Sequence, residues 1–349
     1  MRRIGLARLF AVLALTCPAV APLVAAPLDL AAVPADAKWV MHLDMDAARA
    51  STVMERAMAK AMKMHPHAGG MMDMVAKMSG MDPRTDLKDA TAYGPDTDKK
   101  NGVLIVRGKA NREFLTRMVE KAPDHKTMTH EGHTMHAWTH KRGRHGGTVV
   151  GAFYKDDVMV FSRTEEATKA ALDVLDGRKP STPAESPLSG RVRPGSIVVA
   201  RAAAIDPNTK CPVLRKGDGY RVALGEEEGK VFYRARLDMQ SAEAAGEVRD
   251  VVKGLTSLAS LRWGSEEAVM GLVKTMKMDV EGNTCSIAWD ASADDVWSVV
   301  DKAMTRCESK QYRGRSSCKS CDKGSCDEGC PMKKKEGESA KKPLGDDEF

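Results

Sequence analysis

Hydrophobic and polar positions alternate with a two-residue period along several stretches of the chain. Elsewhere they recur every three to four residues. Lys38 to Met45 (KWVMHLDM) and Lys230 to Met239 (KVFYRARLDM) read as strands with one face inward. Gly102 to Gly108, Thr134 to His140, Thr148 to Tyr154, Val158 to Ser162, Ser196 to Ala203 and Tyr220 to Leu224 read as further strands. Met276 to Val280 and Thr284 to Trp289 flank the turn EGN as a hairpin. Helical periodicity covers Asp46 to Met64, Gly70 to Ser79 and Ser241 to Leu261. Asn111 caps a helix through Glu120, and Thr164 caps another that runs to Leu175 and stops at Gly177. Ser292 with Asp295 has the spacing of a capping box and opens a last helix to about Thr305.

This order of elements predicts an α+β protein with antiparallel sheets and helices packed on one face. Pro180 to Pro194 is rich in Pro, Ser and Gly and reads as a linker or long loop. The expected organisation is a first half over 28–180, a linker over 181–195 and a second half over 196–305. Leu43-Asp44-Met45 and Leu237-Asp238-Met239 each end a strand and open a long helix, which suggests that the two halves are related.

Both ends depart from this pattern. Arg2, Arg3 and Arg8 precede the apolar run Leu9 to Leu15, and small residues follow, so residues 1–26 have the layout of a secretory signal. The run is short and broken by Pro18 and Pro22, which argues against a retained transmembrane span after cleavage. The expected location is therefore outside the cytosol, periplasmic or extracellular. From Arg306 onward, hydrophobic periodicity disappears and Cys, Lys, Ser, Gly and Glu dominate. Such a segment lacks the apolar surface to order itself.

Four cysteines in the tail, Cys318, Cys321, Cys326 and Cys330, lie in the run CKSCDKGSCDEGC. Thiolates at this density suit one tetrahedral zinc or a Cu(I) ion. In an exported chain the same residues suit two small disulfide loops. Loss of Cys17 with the signal leaves Cys211, Cys285, Cys307 and the four tail cysteines, an odd number. One free thiol, an intermolecular disulfide or a metal site must absorb the remainder.

A second soft-metal candidate lies in the first half. Half of the 22 methionines fall between Met41 and Met81. Met54, Met58 and Met62 recur at i, i+4, and His65 and His67 follow. Thioether and imidazole suit Cu(I), but the same stripe reads more simply as the apolar face of a helix packed into the core. All nine histidines precede residue 150. Those at 125, 130, 133, 136, 140 and 145 form a cluster read chiefly as a polar, solvent-facing strand.

The formal net charge is +6, and the three signal arginines account for half of it. No long block of one sign remains, so nucleic-acid binding has little electrostatic support. No nucleophile elbow, phosphate loop, dinucleotide fingerprint, calcium loop or HExxH motif is present. The stretches Val33 to Ala47, Gly132 to Trp138 and Ala171 to Gly177 resemble a family of exported bacterial α+β proteins of unknown function. That resemblance implies export and an α+β fold and supplies no activity. The expected function is non-enzymatic binding of a protein or envelope partner. The alternative is periplasmic handling of copper or zinc.

Overall fold

The computed structural model describes residues 28–316, apart from 97–100, 141–146, 207–208, 210–211 and 265. The signal segment and Cys318, Cys321, Cys326 and Cys330 lie outside the described residues. The strands are β1 (Trp39–Asp44), β2 (Leu87–Gly94), β3 (Val103–Gly108), β4 (Lys126–His130), β5 (His133–His140), β6 (Gly147–Lys155), β7 (Val158–Ser162), β8 (Ser196–Ala202), β9 (Gly217–Glu227), β10 (Lys230–Met239), β11 (Lys277–Glu281) and β12 (Thr284–Ser292). The helices are α1 (Met45–Ala50), α2 (Thr52–Met64), α3 (Pro66–Ser79), α4 (Arg112–Glu120), α5 (Glu165–Leu175), α6 (Ala242–Trp263), α7 (Glu267–Lys274) and α8 (Ala293–Ser316).

The fold is α+β. All 12 strands join in one antiparallel sheet, in the order β11-β12-β10-β9-β8-β1-β2-β3-β7-β6-β5-β4. The two stretches on either side of the 181–195 segment meet at its centre, where β1 pairs with β8 from Trp39↔Ala202 to Leu43↔Val198. Leu43-Asp44 closes the first strand, whereas Leu237-Asp238-Met239 closes β10, the third strand after the 181–195 segment. The two tripeptides therefore hold different places in the strand order. The compact body runs through Val296, and residues from Trp297 onward form a separate unit.

Both faces of β6 and β7 are apolar, and each has a helix. Val150, Ala152, Val158 and Val160 pack against Ala171 and Leu172 of α5. Trp138, Gly151, Phe153 and Phe161 face α4. Helices are thus not confined to one face in this part of the sheet, because strands without a polar face must be covered twice. Gly151 permits the arrangement. A Cβ there would stand 3.0 Å from Phe161 and 3.2 Å from Trp138.

The 181–195 segment is packed rather than a free linker. Thr182 N–H donates to Val33 O at 2.7 Å, and Leu188 is fully buried. Arg201, 4% exposed, donates to the carbonyls of Leu188, Gly190 and Arg191 at 2.7, 3.0 and 3.1 Å.

Candidate functional site

The predicted helix over 46–64 is two helices. Ser51 adopts an extended conformation between them, and its hydroxyl accepts from Met54 N–H at 3.2 Å as an N-cap. Glu226 from β9 completes the junction. Its carboxylate accepts from Ser51 Oγ at 2.6 Å and from the Thr52 and Val53 amides at 3.1 and 3.2 Å. A carboxylate at a helix N-terminus satisfies orphan N–H groups and complements the helix dipole. Burial pushes the Glu226 carboxyl up, but these hydrogen bonds outweigh it and hold its pKa below the usual glutamate value.

No residue of α2 is buried. Met54 and Met58 project into solvent, and Met62 is half-buried. This corrects the core-packing expectation for the stripe: the periodicity identifies an apolar face, and no described element covers it. His65 is exposed at the α2–α3 junction, and His67 lies in the first turn of α3. Met71, Met74, Val75 and Met78 then recur at i, i+3, i+4 and i+7 along α3, with Met71 61% exposed. Gly80, left-handed at φ 65°, ends the helix.

A second apolar stripe lies on α6. The first part of that helix buries Ala244, Ala245 and Val248 against Met239 and Cys285. The later part presents Val251, Leu255, Leu258 and Leu261 to solvent, Leu261 at 84% exposure. The long helix was legible in the sequence. The exposure of this stripe was not.

His125, His130, His133 and His136 do not form a solvent-facing row. His136 is 9% exposed, and its ring stacks on His125, with His125 Nε2 and His136 Nδ1 3.1 Å apart. Burial, and then the neighbouring His125, hold the His136 pKa down. His130 and His133 form a cross-strand pair at the β4–β5 turn and reach α5. His130 Nε2 lies 2.8 Å from Asp173 Oδ1, and His133 Nε2 lies 2.8 Å from Asp176 Oδ2. Arg178 bridges both carboxylates at 2.9 and 2.6 Å.

A buried polar row crosses the first strands. Asp44 and Asp89 are direct cross-strand partners, as are His42 and Thr91. Asp44 Oδ1 caps α1 through the Ala47 amide at 2.8 Å, whereas Asp44 Oδ2 and Asp89 Oδ1 make no hydrogen bond. Arg107 lies 3.7 Å from Asp89 and 2.6 Å from Asp29. Burial pushes the Asp89 carboxyl up against the pull of Arg107 and His42.

Among the described residues, no group of three or more His, Cys, Asp or Glu side chains is arranged to hold a metal ion. Cys285 is a buried free thiol whose pKa burial pushes up, which disfavours the thiolate that would bind a metal. No described helix is long and apolar enough to cross a membrane. Among the described residues, α2, α3 and α6 carry exposed large apolar side chains in stripes.

Anchoring by Glu226 is testable. Glu226→Gln keeps one acceptor but loses the charge at the α2 N-terminus. Amide exchange in α2 and α3 is expected to rise, with a stability loss of about 1–2 kcal/mol. Unchanged protection in both helices would show that Glu226 does not hold them.

No family model and no curated protein matches the chain. Among solved structures, crystal forms III and I of TP0453 align with TM-scores of 0.42 and 12% identity over 79% of this chain and 98% of theirs. Crystal form IV of TP0453 aligns with a TM-score of 0.41 and 12% identity over 79% of this chain and 96% of that one.

Proposed function

We propose that the protein is an exported, non-enzymatic binding protein that engages an envelope partner through the exposed apolar faces of α2–α3 and α6. The observation that carries this reading is the exposure of Met71, Met74 and Met78 on one helix and Leu255, Leu258 and Leu261 on another. Contiguous exposed apolar surface on a folded protein marks a contact site. Methionine is unbranched and polarizable, so a methionine face adapts to a partner's shape. The signal-like first residues supply the reason to seek that partner in the envelope.

A photo-crosslinking residue at position 74 or 258, introduced in growing cells of the exporting host, is expected to capture one discrete envelope protein. The same residue at Lys230, on an exposed strand end, serves as the control. Adducts from positions 74 and 258 no stronger than from 230 would remove the basis for the reading. Zinc or copper retained by the purified protein, and lost when Cys318, Cys321, Cys326 and Cys330 become serine, would favour the soft-metal alternative instead.

A further inference from the structure

We propose that the slot between α4 and the sheet binds the acyl chain of a medium-chain fatty acid, with Arg112 taking the carboxylate. The slot is a cavity of about 210 Å³, lined by Leu115 and Val119 of α4 and by Trp138, Phe153, Met159 and Phe161 of the sheet. It continues into a more open groove of about 550 Å³ along the same helix, past Met118, Ala122 and Pro123. A cavity of roughly 150 Å³ with such a lining stays dry and takes benzene, so this one has room for an apolar guest. A slot that opens into a groove along a helix fits an extended chain better than a compact ring.

The helix itself points the same way. Phe114, Leu115, Met118 and Val119 give α4 a clear apolar side, yet none of its residues is buried. Side chains lining an unfilled space forgo dispersion contacts that a guest would restore. Thr116 is the other α4 residue on the wall, and the buried His136 also lines it.

Charge selects the head group. The Arg112 guanidinium lies 5.4 Å from the centroid of the Phe153 ring, which itself lines the slot. Arg117, the other cation of α4, is paired with Glu113 at 3.3 Å. Arg112 has no such ion pair among the described residues, so its charge is available to an anion. Glu120 is the nearby opposing charge: its field acts on His136 in the sense opposite to that of Arg112. An anion in the slot is therefore placed beside Arg112, over the Phe153 ring that lines it. A cationic amphiphile would meet Arg112 and be rejected.

The test titrates the full exported protein with decanoate, decanol and decyltrimethylammonium by calorimetry. Decanoate is expected to bind one to one, decanol more weakly and the ammonium not at all. Arg112→Gln should weaken decanoate roughly tenfold, the equivalent of one charge-assisted contact, and leave decanol unchanged. Val119→Trp should fill the slot and abolish binding of both. Thr116→Trp, at a more tolerant helix position, serves the same purpose should Val119→Trp lower the melting temperature. Absence of decanoate binding, equal affinity in Arg112→Gln, or unchanged binding in a folded slot-filled variant would each overturn the assignment.

Discussion

Replacing Arg201 with methionine is expected to lower stability by about 3–5 kcal/mol and to release the 181–195 segment. Arg201 sits on β8, next to the junction where the two sheet halves meet. Its guanidinium is the donor for the carbonyls of Leu188, Gly190 and Arg191 in a stretch with no strand partner of its own. Buried carbonyls need donors, and losing one costs the desolvation of the group left behind. Burial, and then the nearby Arg221, pull the Arg201 pKa down, and no carboxylate forms an ion pair with it among the described residues. Its stabilising role is therefore hydrogen bonding, not ion pairing. Arg201→Lys should recover little, because a single ammonium cannot span three carbonyls. Thermal melts should fall by roughly 10 °C in Arg201→Met, and amide exchange should rise first near Leu188. A melt within a degree or two of wild type would refute this role.

The paired substitution Asp173→Asn with Asp176→Asn is expected to cost about 2 kcal/mol at neutral pH and to loosen the β4–β5 hairpin. These carboxylates face His130, His133, Arg178, Lys179 and the Tyr154 ring. They stand at the C-terminal end of α5, where the helix dipole also favours cations. Burial pushes both carboxyls up, but the histidine and arginine contacts outweigh it and hold each pKa below the usual aspartate value. The sign follows. A carboxylate with a depressed folded pKa contributes stability that is present above the unfolded value, about 3.9. That contribution is lost as pH falls through the depressed value. Wild-type stability should therefore drop as pH falls below about 4, whereas the paired variant should show a shallower decline there. Identical acid limbs would exclude the two aspartates as the linked groups.

The caps and the alternating strands were legible because they depend on near neighbours. Asn111 and Thr164 each cap the helix they precede in the sequence pattern, and Ser241, predicted as the first residue of its helix, is the N-cap. At Ser292, Asp295 N–H donates to Ser292 Oγ at 3.1 Å, the first bond of the expected capping box, and Ser292 Oγ donates to Asp295 Oδ2 at 2.6 Å. β7 and β10 span the residues predicted for them. β2 was illegible because its buried positions include Asp89, Thr91 and Tyr93, a polar face that only tertiary partners make tolerable. β4 and α7 were missed as well. KTMTH is a polar edge strand, and α7 is a short helix that follows a break in periodicity.

The candidate surface shows the same division. Spacing alone identified the methionine stripe on α2, but a period of 3.6 reports a face and not what lies against it. The structure leaves that face open. The histidine cluster was visible as composition, yet its role came from Asp173 and Asp176, 43 residues further along the chain from His130 and His133.

The α+β class, most element positions, the Asn111 and Thr164 caps and the α2 methionine stripe can be read along the chain, because they follow from interactions within a few residues. That the strands join in one sheet through β1 and β8, that Arg201 fastens the 181–195 segment, and which apolar faces stay exposed emerge once the chain is folded. Those outcomes depend on which distant groups meet, and burial is a property of the folded whole that no local period encodes.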